Sequence, residues 1–195
     1  QKRKVLSSIA TIIKRNINYK SLLPKMTKVK ELRNVTSQRA NKSSFTIGVA
    51  VDSAFGFYYP DDLEKIEKYG CKIKRVNLIK DKQITSLDAL FIGGGFPETQ
   101  ARDLEKNKSM KKSIKDAIEN GMPTYAECGG LMYLAKTIKF KNSKMKMCGV
   151  FDIDVEMHDK PIGRGYTKLI TNNHPWGMSL EKINAHEFHY SSVRF

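Results

Sequence analysis

The chain has 195 residues with 40% hydrophobic and 28% charged content, which is enough for one α/β domain plus an extension and ordinary for a globular fold. Three cysteines without CxxC spacing argue against a disulfide framework or a structural zinc site and for a reducing, cytoplasmic setting; no apolar run approaches the ~20 residues that span a membrane. The net charge of +15 comes from lysines spread along the chain, such as Lys106, Lys108, Lys111, Lys112 and Lys115, so a solvated surface is favoured over a nucleic-acid platform, which would interleave aromatic residues with the basic ones.

Residues 1–44 differ in texture from the rest. Val5, Leu6, Ile9, Ile12 and Ile13 recur at helical spacing and predict a helix over 5–15. A second short helix is expected over Ser21 to Met26. Residues 27–44 are polar and read as a linker. An apolar helical stripe without a nearby core implies packing on something else.

From residue 45 the pattern alternates. Residues 45–51 form a continuous apolar strand of the kind buried in a parallel sheet. The loop 52–60 lies at its carboxyl end. Asp61 is expected to cap the next helix, and Gly70 to end it. Residues 72–78 alternate apolar and polar, which suggests an edge strand. Residues 87–92 are a third strand and run into Gly93-Gly-Gly-Phe-Pro-Glu98. One helix is expected over 103–120, with Leu104, Met110, Ile114, Ala117 and Ile118 inward. Pro123 to Ala126 reads as the end of a buried fourth strand. Strands alternating with helices predict a mostly parallel, doubly wound sheet flanked by helices. After Leu134 the chain reads as β-rich, with strands expected over 147–155, 165–170 and 183–190.

The chemistry concentrates at Tyr125-Ala-Glu-Cys128-Gly-Gly-Leu-Met-Tyr-Leu134. Strand, cysteine, two glycines and helix is the layout of a nucleophile elbow, which aims helix N–H groups at the reacting centre. A buried structural cysteine beside a tight turn is the competing reading, and on these residues alone the two are level. A thiolate nucleophile needs a base and an oxyanion hole. The Gly93-Gly94-Gly95 loop could offer backbone donors, and the N–H of Gly129 another. No P-loop sequence is present. Of the four histidines, His158 and His174 lie in polar, turn-like contexts and read as surface residues. His186 and His189 are three apart in a strand, so they point to opposite faces; only one can face the thiol, and no metal site is expected.

Four motifs together carry a family resemblance: Ala54-Phe-Gly-Phe-Tyr-Tyr-Pro60, Gly93-Gly-Gly-Phe-Pro-Glu98, Ala126-Glu-Cys-Gly-Gly-Leu-Met-Tyr-Leu134 and His186-Glu-Phe-His-Tyr-Ser191. In this order they resemble the glutamine amidotransferase domain of the cobyrinic acid and nickel-sirohydrochlorin a,c-diamide synthases. The resemblance covers residues 45–195. It implies a class I amidotransferase-like fold with a flavodoxin-like core and a β-rich C-terminal part. It also implies that residues 1–44 are a helical tail and linker from an N-terminal ATP-binding domain not contained in this chain, which would use ATP and magnesium.

The implied roles follow residue by residue. Cys128 would attack the side-chain amide of glutamine. His189 would be its base, with Glu187 as support and His186 as a subgroup marker. Gly94, Gly95 and Gly129 would hold the glutamine carbonyl. No cofactor is expected in this segment. Ammonia would pass to the ATP-binding domain, where a carboxylated tetrapyrrole is amidated at its a and c carboxylates; homodimer formation is left open. Position 191 is serine where triad amidotransferases carry glutamate, so a Cys–His dyad is expected. The alternatives are a stand-alone cysteine hydrolase or peptidase on the same fold, or a non-catalytic interaction module.

Overall fold

A computed structural model describes residues 2–26, 44–170 and 182–195. The chain separates into two units, Gln1–Ser37 and Gln38–Phe195. In the first, helix α1 spans Lys2–Asn16 and α2 spans Tyr19–Met26. Neither has a buried residue, and Val5, Leu6, Ile9, Ile12 and Ile13 are all exposed. No described helix is long and apolar enough to cross a membrane. The expected linker lies almost entirely outside the described residues.

The second unit is built on a parallel sheet. Its strands are β1 (Thr46–Ala50), β3 (Lys72–Val76), β4 (Ala89–Ile92) and β6 (Thr124–Ala126), in the order β3-β1-β4-β6. Val49, Ala50, Leu90 and Ile92 are fully or almost fully buried, as a strand covered on both faces requires. β3 is an edge strand, as its alternation predicted. β6 corrects the expectation of a buried strand: it forms the opposite edge, and Tyr125 is 43% exposed.

Between β1 and β3 lie the short strand β2 (Phe55–Phe57) and helix α3 (Pro60–Lys68). Asp61 does not cap α3. The capping position is Tyr59, which makes no side-chain cap, and Pro60 opens the helix with its preset φ. Asp61 and Asp62 sit in the first turn, where carboxylates complement the positive end of the helix dipole. After β4 comes β5 (Gly94–Gly95), which pairs antiparallel with β2.

The single helix expected over 103–120 is two: α4 (Ala101–Lys106) and α5 (Lys108–Glu119). Asn107 causes the break. It is buried, and its side-chain amide donates to the carbonyls of Leu78 at 2.9 Å, Ile79 at 3.1 Å and Asp81 at 2.8 Å. Its Oδ1 accepts from Met110 N–H and caps α5. A helical pattern in the sequence carries no sign of carbonyls waiting almost thirty residues upstream. Asn107→Ala leaves these carbonyls unpaired and removes a cap, so it is expected to destabilise the fold by about 2–3 kcal/mol, measurable by urea denaturation.

Lys111 is likewise not on a solvated face. Its stem is buried and Nζ donates to the Lys146 carbonyl at 2.8 Å, with burial lowering its pKa.

Helix α6 (Gly129–Leu134) leads into the β-rich half, in which β7 (Thr137–Phe140), β8 (Ser143–Lys146) and β9 (Asp154–Met157) are followed by β10 (Gly163–Leu169), β11 (Ile183–His189) and β12 (Ser191–Arg194). β12, β9, β7 and β8 make one mixed sheet; β10 and β11 make a separate antiparallel pair. The β7–β8 hairpin was not foreseen, because lysines alternate with its inward Ile138 and Met145 and hide the apolar periodicity. The strand expected over 147–155 is mostly loop, whose N–H groups at Cys148, Gly149 and Val150 donate back to Tyr133, Ala135 and Leu134.

Cys148 is a core residue, 7% exposed, and burial pushes its thiol up to about 12. Its folded pKa lies above the unfolded value near 9.0, so its contribution is whole below pH 9 and fades as pH rises through 9 towards 12. Lys111 works in the opposite direction over part of this range, so the thiol is isolated by comparison. Denaturant melts across pH 8–10.5 should show a decline in stability that is shallower in Cys148→Ala.

Candidate active site

The parallel strands end at Ala50, Val76, Ile92 and Ala126, and Cys128, Gly94, Gly95 and Gly129 gather at that edge. β6 continues its pairing for one more step, with Glu127 N–H donating to the Ile92 carbonyl at 3.1 Å. The chain then reverses. Cys128 holds φ 50° and ψ −112°, a conformation sparsely populated by side chains with a Cβ, and α6 starts at the next residue. Such strain persists only where the surroundings impose it.

Two glycines impose it. A Cβ on Gly130 would lie 2.1 Å from the Ile92 carbonyl oxygen, so the start of α6 presses against the end of β4. A Cβ on Gly129 would lie 2.9 Å from Pro97 Cδ and 3.1 Å from Gly95 N. Gly130 N–H donates to the Glu127 carbonyl at 2.8 Å, which leaves the N–H of Gly129 as the donor the turn offers beside Cys128. Cys128 itself is exposed, whereas Cys71 is half-buried and Cys148 buried.

The β2–β5 ribbon lies alongside. A Cβ built on Gly94 would be 3.8 Å from the Cβ of Cys128. The structure therefore brings Cys128, Gly94, Gly95 and Gly129 together, although the glycine-rich loop is a strand pair rather than a simple turn. Asp52 holds the loop that feeds the ribbon: Oδ1 accepts from Ala54 N–H at 2.7 Å and Oδ2 from Leu78 N–H at 2.8 Å. Beside the elbow, the Tyr125 hydroxyl donates to Glu127 at 2.9 Å; burial, then this carboxylate, pushes the phenol up to about 12.

The histidines come from the β10–β11 pair. His186 registers with Tyr166 and His189 with Gly163. The alternation puts them on opposite faces, as expected, with His186 exposed and His189 half-buried. His189 Nδ1 lies 2.8 Å from the Ser191 carbonyl oxygen. A carbonyl can only accept, so Nδ1 is the donor and in the neutral ring Nε2 carries the lone pair. Nε2 lies 3.4 Å from Glu187 Oε2, a long ion-pair contact that forms only with the imidazolium. Among the described residues, no hydrogen bond joins His189 to Cys128.

His158, expected as a surface residue, is instead half-buried and bonded through Nε2 to Ser192 Oγ at 2.7 Å. His174 lies outside the described residues.

Two contributors escaped the sequence. Gly163 makes room for the imidazole: a Cβ there would fall 2.2 Å from His189 Nε2 and 2.8 Å from Glu187 Oε2. A glycine inside a strand does mark a close approach, and that signal was present. The Ser191 carbonyl had no signal, because a main-chain atom is the same for every residue type.

An exposed thiol on a strained strand–helix turn, flanked by close-packed glycine backbone, is suited to covalent attack on a carbonyl. The family model of CobB/CobQ-like glutamine amidotransferase domains matches residues 46–195. The chain belongs to this family. Among curated relatives, the cobyrinate a,c-diamide synthase of Magnetococcus marinus is 40% identical over 148 residues, covering 75% of this chain and 32% of that protein. The synthase of the same description from Archaeoglobus fulgidus is 36% identical over 192 residues, covering 96% of this chain and 42% of that protein. The chain thus spans about a third to two fifths of these relatives' length. A crystal structure of a glutamine amidotransferase shares the fold, with a TM-score of 0.51 at 19% identity over 74% of this chain and 70% of that one.

Proposed function

We propose that the chain is the glutamine-hydrolysing portion of an ATP-dependent a,c-diamide synthase that amidates a carboxylated tetrapyrrole such as cobyrinate or nickel-sirohydrochlorin. One observation carries the glutaminase reading: exposed Cys128 stands at φ 50° with its Cβ beside Gly94. The tetrapyrrole reading is supported by the names of the longer relatives. ATP and magnesium would belong to the remainder of such a protein, outside this chain.

The Cys128 thiol passes its proton to His189 Nε2, and the thiolate attacks the side-chain carboxamide carbon of glutamine, forming a C–S bond. N–H groups around Gly94, Gly95 and Gly129 carry the oxyanion, an effect worth roughly 3 kcal/mol per donor. The C–N bond breaks as His189 Nε2 delivers a proton to the departing nitrogen, which leaves as ammonia. Water then loses a proton to Nε2 and attacks the thioester, releasing glutamate and the thiol. The Ser191 carbonyl fixes the imidazole throughout, in the place a carboxylate takes in a Cys–His–Glu triad. Glu187 lies where it stabilises the transient imidazolium.

Incubation of the chain with glutamine should release glutamate and ammonia in equal amounts, with no cleavage of peptides. Release of peptide fragments instead would favour a stand-alone cysteine peptidase.

A further inference from the structure

Among the described residues nothing shows what covers the apolar face of α1 and α2 or the exposed aromatic face of the β10–β11 pair, but the base of the β2–β5 ribbon is specific. We propose that Tyr58 is a positioning residue for the oxyanion strand: its hydroxyl ties the Gly93–Gly95 backbone to the end of β1 and so sets the donors beside Cys128. This rests on the glutaminase reading above.

The geometry is two-sided. The Tyr58 hydroxyl donates to the Ala50 carbonyl at 2.5 Å and accepts from Gly93 N–H at 3.0 Å. Ala50 is the last residue of β1, and Gly93 lies between β4 and β5. One side chain thus links a rigid core strand to the residue that opens the oxyanion strand. The ring is fixed as well, packing edge-on against Phe91 with centroids 5.0 Å apart. Gly93 is what lets the ring lie across the backbone, since a Cβ there would fall 2.6 Å from Tyr58 Cε1. Burial, above all, pushes the phenol up to about 12, with Asp52 and Glu127 adding to the effect, so the donor keeps its proton over the working range.

The ribbon needs such a tie. β5 has only two residues, and its pairing with β2 is irregular between Phe55 and Phe57. Two isolated strands are marginal on their own. Without the tie, Gly94 and Gly95 could drift relative to Cys128 while the core stayed packed. Donor placement matters most in the transition state, so the loss should fall on turnover rather than on substrate binding.

The test is Tyr58→Phe, which keeps the ring and removes the hydroxyl. We expect kcat for glutamine hydrolysis to fall about tenfold with KM within about twofold, as for loss of an interaction that acts in the transition state. Alkylation of Cys128 by iodoacetamide needs no oxyanion hole, so its rate, located by mass spectrometry, should stay within about twofold of wild type. An unchanged kcat would overturn the assignment. So would a parallel fall in kcat, alkylation rate and melting temperature, or a variant that fails to fold, because the hydroxyl would then be a structural strut. If the wild-type chain released no glutamate, the glutaminase reading and this assignment would fall together; if only Tyr58→Phe kept wild-type turnover, this assignment would fall alone.

Discussion

Replacing Cys128 with alanine should remove glutamine hydrolysis, by at least about a thousandfold, and leave the fold intact. Loss of a covalent nucleophile is among the largest single effects known for an enzyme, because the other groups then have nothing to activate. The folded state should barely notice the change. The side chain is exposed, so its truncation empties no core space. Alanine also carries a Cβ and meets the same strain at φ 50° as the cysteine does. The expected result is an unchanged thermal melt with no glutamate release in an enzyme-coupled assay. Cys148→Ala serves as the control, since its thiol is closed off in the core. In a longer protein containing the ATP-binding portion, amidation should persist with free ammonia and fail with glutamine. Glutamine use that survived Cys128→Ala would sink the nucleophile assignment.

Gly163→Ala should also be damaging, although Gly163 itself contributes no reacting group. The new methyl group would sit where His189 Nε2 now lies and against Glu187 Oε2. Both obstacles are ends of flexible side chains, so the hairpin can absorb the methyl by turning the imidazole away. Gly163 does not have a positive φ, so the backbone accepts alanine without strain. Stability should therefore stay within about 1 kcal/mol of wild type. The imidazole, however, would lose its bond to the Ser191 carbonyl or swing Nε2 out of line. A misplacement of about 1 Å at a catalytic group costs on the order of a hundredfold, and that is the fall in kcat we expect. The measurement pairs steady-state glutamine hydrolysis with a thermal melt. Wild-type turnover in a folded Gly163→Ala would show that the orientation of His189 at Nε2 is not used.

Much of the site was legible because its markers are local. Cys128-Gly-Gly130 and Gly93-Gly-Gly95 are runs in which glycine admits close neighbours: a Cβ would meet backbone at Gly95 and Gly130, the Tyr58 ring at Gly93 and Pro97 Cδ at Gly129, all within 3 Å. The opposite facing of His186 and His189 follows from strand periodicity alone. Errors arose where a non-local partner decided the outcome. Asn107 split a well-patterned helix because three carbonyls of the preceding connection needed its amide. Lys111, in a run of surface lysines, was drawn inward by the Lys146 carbonyl.

By itself, the sequence determined the alternation of apolar strands with amphipathic helices, the parallel sheet that follows, and the glycine-flanked thiol at its carboxyl edge. These depend on side-chain period and backbone freedom, which each short stretch carries within itself. The tertiary structure alone decided how the imidazole of His189 is held, what space Gly163 keeps for it, and how Tyr58 ties Gly93 to Ala50. Those depend on cross-strand register and on main-chain carbonyls, whose positions are set by the whole fold and whose chemistry is the same at every residue.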